Sequence, residues 1–234
     1  TPQAYDNAKD FFDTGITWSN SLNVAQMLDK SSYSISLGNT HQDGIISSTG
    51  MDRYNVKVSA DTKLTNNWSS GFTANYITTS IDKAVTSGNG LLRTVYAAPP
   101  SYDLAGIPSH VDGNLYAQNS FRGSFDNAYW AMENNKFTED TNRFFGNVYT
   151  SYQTDFGTTN HKLNAKYMVG VDAYTTHYVD SYGYGSNTGG GRGQIENYGW
   201  TNATYNSLLT INYDWHINCL LYTSPSPRDL STSR

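Results

Sequence analysis

The 234 residues could make one large or two ordinary domains, and they are only 37% hydrophobic and 15% charged, with Ser, Thr, Asn, Gly and 19 tyrosines filling the deficit. A net charge of -5, with the basic residues scattered singly, lacks the electrostatic footprint of a nucleic-acid binder. The single cysteine, Cys219, excludes a disulfide framework and a multi-cysteine metal site. No run approaches about 18 consecutive apolar residues, which excludes a helical membrane span but not a barrel, whose strands need only every second residue apolar.

About seven segments carry the period-two alternation of strands. The first spans about residues 18–27. Asp29 and Lys30 turn it into a second, Ser32 to Thr40, where Tyr33, Ile35 and Leu37 alternate with Ser34, Ser36 and Gly38. A loop holding Asp43 and Gly44 leads to the third, Arg53 to Leu64. There Arg53, Asn55, Lys57, Ser59, Asp61 and Lys63 share one face, and Tyr54, Val56, Val58, Ala60, Thr62 and Leu64 the other. From Tyr54 to Leu64, at about 3.3 Å per residue and a tilt of roughly 40°, such a strand rises about 28 Å, close to the apolar band of an outer-membrane barrel. Thr65, Asn66 and Asn67 turn into a fourth, Trp68 to Ile81, with Phe72, Ala74 and Tyr76 in phase.

A polar stretch from Asp82 to about Asp140 follows, with Pro99, Pro100 and Pro108 breaking any regular strand, and reads as a long structureless extracellular loop. The fifth strand is Asn142 to Thr154. Gly157 to Asn160 turns it into the sixth, with Leu163, Ala165, Tyr167, Val169 and Val171 on one face. A Gly-rich loop, Gly183 to Gly193, precedes the seventh, about Thr204 to Ile217. Connections alternate in length: short at 29–31, longer at 41–50, short at 65–67, very long at 82–140, short at 155–160, long at 183–200. Short periplasmic turns and long outer loops organise a transmembrane barrel, so odd-numbered strands run toward the periplasm and residues 1–16 form an outer segment. Trp68 and Trp215 then fall at inner strand ends, and Trp18 and Trp200 at outer ones, as aromatic belts require. The competing fold is a Tyr-rich secreted β-sandwich that binds carbohydrate.

For chemistry the residues offer little. Asp126 with Glu133, or Glu139 with Asp140, could pair as glycosidase carboxyls, but acidic residues in a polar loop are usually solvated. The histidines are dispersed, and no G-x-S-x-G motif occurs. The Gly189 to Gly193 run lacks the Lys-Ser/Thr of a phosphate-cradling loop. The chain is therefore expected not to be an enzyme and to use no metal or cofactor. For binding, Phe121 to Trp130 gathers flat aromatic faces with donors and acceptors suited to a sugar or peptide, and Arg122, Asp126, Tyr129 and Trp130 are the candidate ligand contacts. The favoured competing role for these aromatics, and for Tyr96 and Tyr102, is to pin the loop to its own barrel or to a lid.

Several ordered motifs resemble the early barrel of the SusC/RagA family of TonB-dependent outer-membrane transporters. They are Asp10-Phe11-Phe12-Asp13-Thr14-Gly15, Tyr33-Ser34-Ile35-Ser36-Leu37-Gly38, Gln42-Asp43-Gly44-Ile45-Ile46, Arg53-Tyr54-Asn55, Ala98-Pro99-Pro100-Ser101-Tyr102-Asp103-Leu104 and Phe137-Thr138-Glu139-Asp140-Thr141-Asn142-Arg143-Phe144. The resemblance covers about residues 5–217. It implies a barrel of about 22 strands in the outer membrane of a Gram-negative bacterium, in contact with outer-membrane lipid. It also implies an N-terminal plug, a surface lipoprotein of the SusD type over the mouth, and import of oligosaccharides or peptides powered by TonB through a segment ahead of the plug. Plug, TonB-contacting segment and most strands are missing from these residues, and the chain opens on Thr1 without Met. The expectation is therefore a fragment: an outer segment at 1–16, a partial TonB-dependent receptor barrel at 17–218, and a non-native tail at 219–234. That tail, with Ser224-Pro225 and Ser226-Pro227, resembles translated sequencing-adapter read-through. On the strands, the implied plug or water is the expected neighbour of Arg53, Lys57, Asp61, Lys63, Lys162, Lys166 and Asp172.

Overall fold

A computed structural model describes residues 3–85, 90–156 and 161–215. In chain order the elements are α1 (Asn7–Phe11), β1 (Thr17–Met27), β2 (Ser31–Asp43), β3 (Gly50–Lys63), β4 (Trp68–Lys83), α2 (Leu91–Ala97), β5 (His110–Val111), β6 (Asn114–Gln118), α3 (Ala128–Asn134), β7 (Lys136–Asp155), β8 (His161–Tyr184) and β9 (Arg192–Trp215). β5 and β6 form a small hairpin. The other seven strands form one antiparallel sheet in the order β1-β2-β3-β4-β7-β8-β9. The fold is all-β and has the form of a partial barrel wall. Two stacked layers, which a sandwich needs, are not present among the described strands.

Pairing register turns the strand patterns into two continuous faces, because residues directly opposite each other point the same way. Leu22, Leu37, Val56, Tyr76 and Phe144 form one row across the sheet, and Tyr33, Ala60, Phe72, Val148 and Val169 form another below it. These rows remain exposed, although Leu22, Val56, Phe72 and Val148 are large and apolar. On β8 the stretch from Ala173 to Leu163, at about 3.3 Å per residue and a tilt of about 40°, rises about 25 Å, the height of the apolar band on a transmembrane barrel. At its lower end Trp68 packs 5.0 Å from Tyr152, and His161 stacks on Tyr213 and Trp215. At its upper end the same face becomes polar: Tyr76 donates to Asn142, Ser80 donates to Asp140 at 2.6 Å, and His41 lies 2.7 Å from Asp52.

The strands run further than their apolar alternation. β7 begins at Lys136, β8 continues to Tyr184 and β9 begins at Arg192. Above the apolar rows both faces carry polar residues, so the period-two signal that marks a strand in the sequence fades. The connections expected at 41–50 and 183–200 shorten accordingly to residues 44–49 and 185–191, and 84–135 is the single long one among the described residues. That connection is not structureless either, since it folds into α2, the β5–β6 hairpin and α3. Trp200 lies within β9 on the polar face, in the row of Arg53 and Thr176, rather than in an outward belt. Gly183 to Gly193 tightens into a hairpin end with positive φ at Gly185, Gly190, Gly191 and Gly193. The 157–160 turn, the end of the seventh strand at Ile217 and the tail from Cys219 lie outside the described residues. The segment 3–16 carries α1, which packs on the long connection.

Candidate functional site

The hydrophobic core belongs to the outer loop and not to the sheet. Phe11, Ile46, Leu91, Val95, Leu104 and Trp130 cluster with Ala128 and Ala131, drawing on the N-terminal segment, the β2–β3 turn and the long connection. Asn7 clamps α1 in place: its Oδ1 accepts from Leu104 N at 3.0 Å and its Nδ2 donates to the Tyr102 carbonyl at 2.9 Å. Phe11 meets Tyr129 edge to face at 5.3 Å. Helix α3 starts where it does because Asn127 caps it, accepting from Tyr129 N and Trp130 N, while its Nδ2 donates to the Asn119 carbonyl at 2.7 Å.

Asp126 is the polar centre of this unit. Its Oδ1 accepts from Gln118 Nε2 at 2.7 Å and from Asn187 N and Nδ2 at 2.7 and 2.8 Å, and its Oδ2 accepts from Ser186 Oγ at 2.6 Å. Gln118 also donates to the Gly185 carbonyl and accepts from Asn127 N. One carboxylate thereby ties the β5–β6 hairpin and the start of α3 to the β8–β9 hairpin end. At Gly185, with φ +101°, an added Cβ would sit 1.9 Å from the Tyr116 carbonyl oxygen, so that approach requires glycine. Asp126→Ala strips the shared acceptor from four donors, and we expect it to cost about 3 kcal/mol. Hydrogen exchange should show protection lost around 115–127 and 184–191, whereas Asp126→Asn keeps part of it.

The four candidate contacts are thus brought together but play different parts. Trp130 is fully buried, with its indole N–H donating to the Leu115 carbonyl at 3.2 Å, and Asp126 is buried under its donors. Tyr129 is half-buried, and its hydroxyl donates to the Asp10 carbonyl. Burial first, then the carboxylates Asp10, Asp13 and Asp103, raise the Tyr129 hydroxyl above its ordinary pKa, and burial raises Tyr102, so both remain neutral donors. Arg122 alone of the four is exposed, its guanidinium 5.1 Å from the Phe125 ring, which Arg93 approaches at 4.7 Å. Glu139 and Asp140, adjacent on β7, project to opposite faces.

The polar face of the wall carries further organised groups. Arg143 and Asp172 form a two-pronged ion pair beside the Phe145 ring. Tyr149 crosses over Gly71 to donate to Asp61, and Lys166 Nζ lies 4.2 Å from the Tyr149 ring centre. Higher up, Lys83 pairs with Glu139 at 3.2 Å and covers Tyr178, next to Tyr198 and Trp200. This upper aromatic cluster escapes the sequence reading because the neighbouring glycines look like loop. The signal was available in the alternate positions Tyr178, Asp180 and Tyr182.

No protein-family model and no curated protein matches the chain. Among solved structures it is similar to a chain of the RagAB peptide importer in its 'closed-closed' state, with a TM-score of 0.50 at 13% identity over 91% of this chain and 32% of that one. The chain therefore spans about a third of that importer chain's length. At this identity the likeness is one of fold, a distant one, and it agrees with the partial barrel wall that the strand register builds.

Proposed function

We propose that this chain is part of the wall of an outer-membrane β-barrel that imports oligomeric nutrients, glycans or peptides, by a SusC/RagA-type, TonB-dependent route. The observation that carries the reading is the exposed apolar face, about 25 Å tall, bounded below by aromatics and above by polar pairs. Lipid would cover such a face over that height, and the opposite, charged face would then line the lumen. The sheet's open edges at β1 and β9 support a larger closed barrel. The folded outer loop sits at the mouth, where a SusD-like surface lipoprotein would close. A plug and a TonB-contacting segment complete the proposed system, whose work is selective passage rather than catalysis.

The test uses cells expressing the full gene that carries this chain. Labelled oligosaccharide or peptide should accumulate in them, and uptake should stop when the proton gradient is dissipated. A product recovered in the soluble fraction, without detergent, contradicts the reading.

A further inference from the structure

Above the apolar band the polar face of β8 and β9 holds an aromatic and acidic surface. Tyr178 and Tyr198 stack with centroids 5.0 Å and planes 10° apart, and Trp200 lies 5.2 Å from Tyr178. Lys83 Nζ sits 4.4 Å over the Tyr178 ring and 3.2 Å from Glu139, so one ring and one carboxylate already serve a cation of the chain itself. Asp180 and Glu196 face each other directly across the two strands. Asp180 accepts from the Tyr198 hydroxyl at 3.1 Å and Glu196 from Gln194, and neither is ion-paired among the described residues. A cavity of about 470 Å³ opens beside Asp180, lined also by Lys83, Phe137, Tyr182 and Tyr198, and falls within the size range of ligand sites.

We infer that this surface is a binding subsite for an extended peptide bearing basic side chains, an inference that rests on the import reading above. Trp200, Tyr198 and Glu196 occupy alternate positions on β9, about 6.7 Å apart, which is the repeat of side chains along one face of an extended peptide. Lys83 displays the preferred arrangement, an ammonium over a tyrosine face with a carboxylate in reach. A ligand cation finds the same pair of partners in the exposed rings of Tyr198 or Trp200 with Asp180 or Glu196. A neutral saccharide gains the stacking but leaves two carboxylates desolvated without a counter-charge. Arg192, at the start of β9, is the remaining basic residue on this face of that strand.

The full-length product of the gene that carries this chain, folded into phosphatidylcholine vesicles, is titrated with fluorescein-labelled pentalysine, pentaglutamate and maltopentaose. Insertion is checked in each sample by heat-modifiable gel migration. Pentalysine should bind preferentially and more weakly as salt rises. Asp180→Asn combined with Glu196→Gln should weaken it about tenfold, and Asp61→Asn, far below on the same face, should not. Maltopentaose binding as tightly as pentalysine overturns the inference, as does a double variant that binds like the parent. An inserted chain indifferent to pentalysine sinks the subsite alone. A full-length product that fails to insert sinks the import reading beneath it.

Discussion

Trp130→Ala is expected to unfold the outer loop and leave the wall standing. The indole is the largest fully buried side chain in the described molecule, and its cluster reaches three separate stretches of chain. Removing it forfeits the buried area, opens a cavity and leaves the Leu115 carbonyl without its donor, a loss of about 3–5 kcal/mol. A unit made of two seven-residue helices and a short hairpin depends on such packing, since helices that short are marginal alone. The sheet below is fastened by its own backbone ladders. Limited proteolysis of the full-length product in vesicles should therefore cut within 90–135 at once, while amide protection over 161–181 persists. Uniform loss of protection, or none, contradicts a loop with its own core. Trp130→Phe, which keeps most of the volume, should retain most of the resistance.

Val169→Arg carries the other large effect. Val169 lies near the middle of the apolar band, beside Val148 and Phe72 in its row. A guanidinium there faces hydrocarbon, at a cost of about 2–4 kcal/mol. Asn206→Arg lies at nearly the same height on β9, paired with Gly170 on the polar face, and should cost less than about 1 kcal/mol. Urea midpoints in vesicles separate the two. Equal destabilisation, or a larger effect at Asn206, reverses the assignment of faces.

The parts of the fold legible in the sequence are those where the period-two alternation is strict. Val56, Val58 and Ala60 on β3, or Leu163 to Val171 on β8, alternate with polar residues, and the register aligns them into one apolar face. Above the band the alternation fades, which is why β8 and β9 read as ending near Asp172 and Thr204 although their pairing continues to Tyr184 and Arg192. The outer loop was opaque for a different reason. Helices of seven residues or fewer show no full amphipathic period, and Asn127 as an N-cap was the one local sign of α3. What sequence could not convey is that Trp130 and Asp126 turn inward onto Leu115, Gln118 and Ser186, contacts set by chain folding across as many as 60 positions.

The central claim is that one face of this sheet meets lipid and the other does not, and a spin-label scan of β8 from 163 to 173 tests it most directly. With the full-length product of the gene that carries this chain in vesicles, collision with dissolved oxygen should peak at 163, 165, 167, 169, 171 and 173, and collision with a water-soluble nickel chelate should peak at the even positions between them. Nickel access at the odd positions, or no alternation at all, contradicts a transmembrane wall.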